Sequence, residues 1–405
     1  MRGLRTVLAK SMDDSRSSLR DRLIGPANSE FRRAALAAMA VGRQSGRGEW
    51  IARTGIDLDL FLTLGERNRI APLVAHAVME MDDALPSARA RARAIHDRSA
   101  ARMSVLMGEL DAVAARLLQH GIRLVALKNA GIARGVFPCA ACCPMGDLDV
   151  LVPRDRFREA HRLLLEGGYA LASRAKVEPA DLEAGFLSGG TEYHKRVLDE
   201  EVWLELQWRP VAGRWISPEQ EPDGDELIAR SLPVDRTSVR LLSEVDNLVQ
   251  VSLHTAKHSY VRAPGLRLHT DVDRLVALRP PNWQDFLNTV DRLRVRTPVY
   301  FSLAIAEALL DTGIPQHVLD ALRPVTWRRV GVEALVVKAG VFEPDEQKFS
   351  RIEMSLLHAL LFDSPKDLVR SAFGVVPAEV SLRSLPRDVT RAVRRLLDLA
   401  TRFQA

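Results

Sequence analysis

The chain has 405 residues, a formal net charge of +5 and a sequence pI of about 9.3, with 47% hydrophobic and 27% charged residues. This balance indicates a globular protein of two or three domains and excludes a largely disordered chain. The 57 basic residues are interspersed with 52 acidic ones, which is more typical of a mixed solvated surface than of a nucleic-acid groove. The charge is compatible with a triphosphate ligand but does not require one.

The cysteines are Cys139, Cys142 and Cys143, all in one short segment. An odd number of neighbouring thiols is no disulfide framework and favours a reducing compartment. The three thiols could contribute to a zinc site, but no fourth Cys or His lies at a usual spacing, so the sequence does not favour zinc. The chain also lacks a long uncharged apolar window and a secretory signal, so we expect a cytoplasmic protein without a membrane partner.

Residues 1–103 predict a helical N-terminal region, because apolar residues recur at intervals of three and four. A long amphipathic pattern then ends at Gly121, a residue favoured after the last turn of a helix. The period changes beyond this glycine. Short β-branched runs predict strands at 122–127, 147–152, 192–198 and 202–208, with helices at 129–137 and 154–168 between them.

The last two of these strands flank an acidic turn, Asp199-Glu200-Glu201, which predicts an antiparallel hairpin. The order of strands and helices implies a mixed α/β unit. A polar, Pro-rich loop follows at about 210–225, and helical patterns dominate from there to the end. A basic amphipathic helix at 386–403 is expected to pack on its own protein rather than on a membrane.

Asp147 and Asp149 lie two apart in a predicted strand, so their side chains project to the same face. Two neighbouring carboxylates repel, and burying them unpaired would cost several kcal/mol. A divalent cation removes that cost, and Mg²⁺ commonly binds through one or two carboxylates together with substrate phosphates. The alternative interpretation is an exposed strand end, because a pair of aspartates alone is not specific.

Glu205 is expected to share a strand face with Trp203 and Gln207, opposite Leu204 and Leu206. A third carboxylate beside the two aspartates would complete a two-metal site. In such a site one ion orients the attacking hydroxyl and the other neutralises the triphosphate and its leaving pyrophosphate.

The segments LVALKNAGIARGVF, PMGDLDVLVPRDRFREAHRLLLEGGYAL and VWLELQW resemble the uncharacterised nucleotidyltransferase family of the DNA polymerase β-like superfamily. The shared pattern is a Leu-Lys-Gly turn opening a helix, a Gly-Asp-hydrophobic-Asp strand, a helix before Gly-Tyr, and an acidic third strand. The resemblance covers about 104–210 and continues weakly to about 315. It implies an α+β fold in which a polymerase β-like core, a small mixed sheet with helices, is flanked by helical regions. The expected domains are 1–103, 104–235 and 236–405.

The resemblance further implies metal-dependent transfer of a nucleoside monophosphate from a nucleoside triphosphate (NTP). Asp147, Asp149 and Glu205 would be catalytic ligands of Mg²⁺ or Mn²⁺, and Glu205 would double as a base for the attacking hydroxyl. The acceptor, the base preference and the oligomeric state are not evident from the sequence. A small molecule, a peptide or protein, and an RNA end are all compatible acceptors.

By the same resemblance Lys128, Asn129 and Gly146 would contact the nucleotide, close to a helix N-terminus that favours anions. The residue-level alternative for Lys128 is a side chain that extends to solvent. Two departures from the family pattern stand out. Asn129 replaces the usual glycine, although asparagine tolerates left-handed backbone, and Cys143 stands about where the family often has arginine.

His254 and His258 lie four apart, which places them on one helix face. A structural role, a nucleotide or substrate contact, and metal binding all remain open for this pair. Asp271 and Asp273 form a second pair of aspartates, but we expect them to open a helix and complement its dipole.

Two further classes of function compete with catalysis. The departures at Asn129 and Cys143 are compatible with a catalytically silent nucleotide-binding or adaptor protein of the same fold. An RNA-binding module would use the arginine-rich surface and show steep salt dependence, but no aromatic stacking pattern or RNA-recognition motif supports it.

Overall fold

The computed structural model of the chain describes residues 18–40, 51, 55–136, 139–173, 181–211, 216, 218–364 and 366–368. The helix predicted at 386–403 lies outside these residues. In the part of the chain that is described, no helix combines the length and the low charge needed to cross a bilayer.

Helices form the N-terminal part, as expected from its periodicity. Pro72 and Pro86 lie in the first turns of two of them, where the missing N–H has no helical partner to lose. The bounds are α1 Leu19–Ile24, α2 Ser29–Met39, α3 Leu58–Arg67, α4 Ala71–Met79 and α5 Pro86–Gln119. Helix α5 runs without a break across the expected domain boundary at 103, and that boundary stays a prediction.

A mixed sheet forms the centre of the molecule, in the order β3-β4-β5-β2-β1-β7-β6. Its strands are β1 Leu124–Ala126, β2 Leu148–Leu151, β3 Ala170–Ala172, β4 Gly190–Val197, β5 Glu200–Gln207, β6 Leu232–Pro233 and β7 Val239–Leu241. The pairs β2–β5 and β1–β7 are parallel, and the remaining neighbours are antiparallel. The expected small mixed sheet with flanking helices is therefore confirmed.

The predicted hairpin is present, with a tighter turn than expected. Leu198 and Asp199 alone connect β4 to β5, and Leu198 has a left-handed φ of 54°. Glu200 and Glu201, expected in the turn, already belong to β5. The turn is short because the two strands remain paired up to Val197 and Glu200.

Short helices connect the strands: α6 Lys128–Gly135, α7 Phe157–Glu166, α8 Leu182–Ser188 and α9 Gly224–Ala229. One sheet face carries Leu148, Val150 and Leu204 into a core shared with the C-terminal half of α5 and with α7. On the opposite face, apolar residues of β1 and β2 lie beside polar side chains. All residues of β2 are therefore buried, whichever face they project to.

The C-terminal helices pack on the N-terminal ones. They are α10 Glu244–Lys257, α11 Leu266–Leu278, α12 Trp283–Leu293, α13 Arg296–Leu310, α14 Gln316–Leu322, α15 Thr326–Ala339 and α16 Arg351–Leu361. Residues of the N-terminal and C-terminal helices described here share one hydrophobic core. Arg22 in α1 also donates to Glu333 in α15 at 2.7 Å.

The expectation for Asp271 and Asp273 is wrong. Helix α11 begins at Leu266, directly after Gly265, so both aspartates lie in its middle rather than in its first turn. They are 2% and 0% exposed. The helix dipole therefore does not explain them, because its effect falls off within the first turn.

Candidate functional site

The acidic strands lie side by side with Asp149 and Glu205 in register. β2 and β5 pair in parallel, and the two residues are direct Cα partners. Residues directly opposite on neighbouring strands point to the same sheet face, so Asp149 and Glu205 project together. Asp147 immediately precedes β2 and is half-buried. We call Asp147, Asp149 and Glu205 the acidic cluster.

Lys128 enters this cluster from the start of α6. It is 5% exposed, and its Nζ donates to Asp149 Oδ1 at 2.5 Å and lies 3.6 Å from Glu205 Oε2. Its φ of 48° is left-handed, a conformation that is uncommon for lysine and is found at functional sites. The left-handed residue of this turn is thus Lys128, and not Asn129 as expected.

The turn brings α6 very close to β1. A Cβ on Gly131 would lie 2.7 Å from the carbonyl oxygen of Ala126, so no larger residue fits there without a shift. Asn129 is 6% exposed, and its Oδ1 is buried without a hydrogen-bond partner among the described residues. Gly146 is exposed and has open space where a Cβ would stand, so its backbone is accessible beside Asp147.

The electrostatics of the cluster are those of crowded carboxylates around one ammonium. Burial raises the pKa of Asp149 well above its usual range, and the nearby Asp147 and Glu205 raise it further, against the opposing effect of Lys128. Burial by itself lowers the pKa of Lys128, but the carboxylates of Asp149, Glu205 and Asp147 outweigh it and raise that pKa above its ordinary value. Lys128 is therefore charged, and the cluster carries excess negative charge.

The donor set fits a divalent cation. Asp149 and Glu205 are close enough to share a proton, a contact that raises the pKa of Asp149, and carboxylates at that distance can share a cation instead. Lys128 and Gln207 both donate to Oδ1 of Asp149, the latter at 3.0 Å. A cation near Oδ2 would compensate charge without breaking either bond, and hard oxygen donors suit Mg²⁺ or Mn²⁺.

Glu192 is a fourth carboxylate that the sequence reasoning missed. It lies on β4 as the direct Cα partner of Glu205 and is half-buried. Asp149, Glu205 and Glu192 therefore form a row across three neighbouring strands on one face. The alternation of buried Tyr193 with its neighbours could have indicated the face, but only the strand pairing brings Glu192 next to Glu205.

Helix α10 packs against α6 and carries basic residues in its last turn. Burial lowers the pKa of Lys257, and Lys128 lowers it further, while Glu205, Asp149 and Asp147 oppose the shift. Lys257, between the two predicted histidines, thus lies within the field of the acidic cluster.

His254 and His258 stand together, with ring centroids 4.7 Å apart in an edge-on arrangement. Burial lowers the pKa of both, to about 3 for His258, and neighbouring cations add to the effect. Each ring is therefore neutral at physiological pH. Each has a buried Nδ1 without a hydrogen-bond partner among the described residues.

Cys143 occupies the place of the expected arginine and is buried. Burial and the charge of Asp271 raise its pKa to about 12, while Arg267 and Arg274 act in the opposite direction. Two guanidinium groups of α11 thus lie close to the position where the family often has arginine. Arg267 also lowers the pKa of His254, so its charge reaches the vicinity of α10.

A profile of the family described as uncharacterised nucleotidyltransferase matches residues 54–311, more than half of the chain. The chain belongs to this nucleotidyltransferase family. The matched range contains all seven strands described above and the acidic cluster. Membership supports a general function in nucleotidyl transfer. No curated protein and no solved structure matches the chain.

Proposed function

We propose that this nucleotidyltransferase moves a nucleoside monophosphate from an NTP to a hydroxyl acceptor in a reaction that depends on Mg²⁺ or Mn²⁺. The observation that carries the proposal is the in-register pair Asp149 and Glu205, which converges with Lys128 on one buried position. Buried carboxylates at this density are unfavourable for folding alone, and a catalytic cation gives a reason for them.

Asp147, Asp149 and Glu205 would hold the cation. When bound, it would polarise the phosphoryl oxygens and offset the negative charge that develops as pyrophosphate leaves. The ammonium group of Lys128 reduces the repulsion among the carboxylates of the acidic cluster and adds one positive charge to the site. In the proposed reaction the acceptor oxygen forms a bond to the α-phosphorus, and the bond from that phosphorus to the bridging oxygen breaks.

The proton of the acceptor hydroxyl needs a base within reach. Glu205 is our candidate, because it is less buried than Asp149 and lies beside its Cα partner Glu192 on the same sheet face. The side-chain exposure of Glu205 is 20% against 5% for Asp149. An acceptor could therefore approach Glu205 more easily than its neighbour.

The nucleotide contacts would come from the turn and from α10. The exposed backbone of Gly146 and the buried Oδ1 of Asn129 offer hydrogen bonds, the latter as an acceptor for a ribose hydroxyl or a base amino group. Lys257 would attract phosphate, and the neutral rings of His254 and His258 would accept or donate single hydrogen bonds. A reducing cytoplasm, favoured by three cysteines that form no disulfide with one another, would supply the NTP.

Label transfer tests this proposal. The protein is incubated with each NTP labelled at the α-phosphate, with Mg²⁺ or Mn²⁺, and with pools of small molecules, proteins and RNA. We expect transfer of label to one pool and release of pyrophosphate, both lost in Asp149→Asn and retained in Glu201→Gln, an exposed residue at the far end of β5.

Other outcomes would assign a different function. Nucleotide-dependent thermal stabilisation without pyrophosphate release in any pool would overturn the proposal in favour of a silent nucleotide-binding protein. Binding of RNA with steep salt dependence, and no effect of NTP, would instead favour the RNA-binding alternative.

A further inference from the structure

A second cluster of potential metal ligands lies where α4 and α5 meet the turn before β2, and it shares no residue with the acidic cluster. It consists of His76, His96, Cys139 and Cys142, whose ligand atoms all lie within 4.8 Å of one another. We propose that these four side chains bind a structural Zn²⁺. The site joins three elements, since His76 belongs to α4, His96 to α5, and the cysteines to the 3₁₀ turn before β2.

The chemistry of the donor set selects zinc. Two thiolates and two imidazoles are a common structural zinc set, whereas Mg²⁺ and Mn²⁺ prefer oxygen ligands. Two thiolates also neutralise the 2+ charge, so a half-buried site would hold no net charge. Because the protein supplies all four ligands, no open position is left for substrate, as in structural rather than catalytic zinc sites.

The geometry requires little adjustment. Zn–S bonds of about 2.3 Å and Zn–N bonds of about 2.0–2.1 Å in a tetrahedron place the ligand atoms roughly 3.3–3.8 Å apart. His96 Nε2 already lies 3.1 Å from Cys139 Sγ. The remaining separations stay below 4.8 Å, so small rotations of half-buried side chains suffice.

Carboxylates stand on the far side of both imidazoles. Glu80 Oε1 lies 3.1 Å from His76 Nε2, and Asp97 Oδ1 lies 3.7 Å from His96 Nδ1. A ligating histidine usually has its other nitrogen oriented by a carboxylate or a carbonyl, which fixes the tautomer. With these contacts, Nδ1 of His76 and Nε2 of His96 are the nitrogens that would face the ion.

The sequence did not favour zinc, because no fourth ligand lies close to the cysteines along the chain. His76 and His96 precede the cysteines by 43 residues or more, since His96 and Cys139 are 43 positions apart. Only the packing of α4 against α5 brings the histidines together, with their rings stacked at a centroid distance of 5.8 Å. Cys143, the third cysteine, is not part of the cluster.

The consequence for the protein is an anchored loop. Ser99 in α5 donates to the carbonyl of Ala141 at 2.6 Å, and a zinc ion would fix the residues on both sides of that bond to the same helix. The chain reaches Gly146 and Asp147 only a few residues later. The proposed ion would therefore fix α4 and α5 relative to the segment that leads into β2.

Metal analysis of the full-length protein tests this proposal without reference to nucleotidyl transfer. The protein is purified without chelator, exposed to Zn²⁺, dialysed, and analysed for metal by mass spectrometry. We expect about one zinc ion per chain, and a cobalt-exchanged sample with the thiolate charge-transfer and visible bands of a tetrahedral site. Chelation should lower the midpoint of thermal unfolding.

Matched variants locate the ion. In Cys139→Ser and His96→Asn the affinity for zinc should fall at least about tenfold. Cys143→Ala and His120→Gln should keep the zinc affinity of the wild type. Cys143 is the adjacent thiol outside the cluster, and His120 is an exposed histidine at the end of α5. Asp149→Asn should also retain zinc, which separates this site from the acidic cluster.

Three results would overturn the zinc site. These are a wild-type protein that keeps no zinc after dialysis and gives no tetrahedral cobalt spectrum, equal zinc loss in cluster and control variants, and a Cys139–Cys142 disulfide found by thiol labelling in place of metal. The cobalt spectrum of the wild type remains decisive if a cluster variant fails to fold.

Discussion

Lys128 Nζ stands 2.5 Å from Asp149 Oδ1 and 3.6 Å from Glu205 Oε2, at a position that is almost fully buried. The ammonium thus compensates two carboxylates from neighbouring strands. In the proposed enzyme a divalent cation and this ammonium share the task of neutralising the same carboxylates. That relationship links the stability of the protein to metal binding.

Replacing Lys128 by methionine tests this link. Removing one partner of a buried pair costs about 3–5 kcal/mol, so Lys128→Met should lower the free energy of unfolding by about 3 kcal/mol in EDTA. Saturating Mg²⁺ should restore much of that loss, because the ion supplies the missing positive charge. Urea unfolding in EDTA and in Mg²⁺ gives both values.

Lys195→Met is the matched control. Lys195 donates to Glu109 at 2.9 Å in a half-buried pair away from the acidic cluster. We expect its loss of stability to be smaller and the same in EDTA and in Mg²⁺. Equal restoration of both variants by Mg²⁺ would contradict a cation site beside Asp149.

The acidic cluster itself should be essential for transfer. Asp147→Asn, Asp149→Asn and Glu205→Gln each remove a proposed ligand, and we expect each to lower kcat/KM at least about 100-fold, a loss typical of removing preorganised charge stabilisation. The free energies of unfolding of Asp147→Asn and Glu205→Gln should stay within about 1 kcal/mol of the wild type, because each change relieves carboxylate repulsion. Asp149→Asn removes the buried partner of Lys128 and should cost about 3 kcal/mol. Initial rates of pyrophosphate release and urea unfolding measure the two effects.

Unfolding of these variants under conditions in which the wild type is folded would show that the carboxylates are structural. Wild-type rates in all three would place the chemistry elsewhere. Glu201→Gln controls for a lost charge on β5, since Glu201 is exposed and pairs in register with Arg196 rather than with β2.

Glu192 should tune the cation site without being required. Its carboxylate adds negative charge beside Glu205, so Glu192→Gln should raise the Mg²⁺ concentration for half-maximal rate about tenfold, as loss of an outer partner commonly does. The maximal rate at saturating Mg²⁺ should change less. A metal titration of the rate that is superimposable on the wild type would show that Glu192 lies outside the influence of the site.

The sequence was sufficient for β1, β2, β4 and β5, whereas β3, β6 and β7 were not predicted. It was also sufficient for the separation of Glu205 from Leu204 and Leu206 on opposite faces of β5. Both follow from a local rule, because alternation along a strand determines which side chains project together. The bounds of β2 and β5 differ from the prediction by only one or two residues. Assignment of the acidic cluster to catalysis stays a prediction until activity is measured.

The remaining features depend on contacts between residues that are distant in sequence. Pairing of β4 with β5 sets Glu192 beside Glu205, and the packing of α4 on α5 sets His76 beside His96. No local pattern encodes either neighbour. The buried aspartates of α11 were misassigned for a different, local reason, because no capping side chain marks the start of that helix at Leu266.

The burial of Asp271 predicts that the stability of the protein depends on pH. Asp271 is 2% exposed, and burial raises its pKa from 3.8 to about 6, although Arg267 and Arg274 oppose the shift. The folded chain therefore keeps a proton that the unfolded chain releases between these values. By linkage, the contribution of Asp271 to stability is largest at low pH and falls as pH rises from about 4 to about 6.

Asp271→Asn removes this titration, so its stability relative to the wild type should increase with pH over the same interval, by up to about 3 kcal/mol for a shift of about two pKa units. Above pH 7 the difference should be constant. Urea unfolding of both proteins at steps from pH 4 to pH 8 measures it. Asp285→Asn, at an exposed position in the first turn of α12, controls for loss of a carboxylate on a helix. A difference between Asp271→Asn and wild type that does not vary with pH would mean that Asp271 stays ionised in the fold, held by its two arginines.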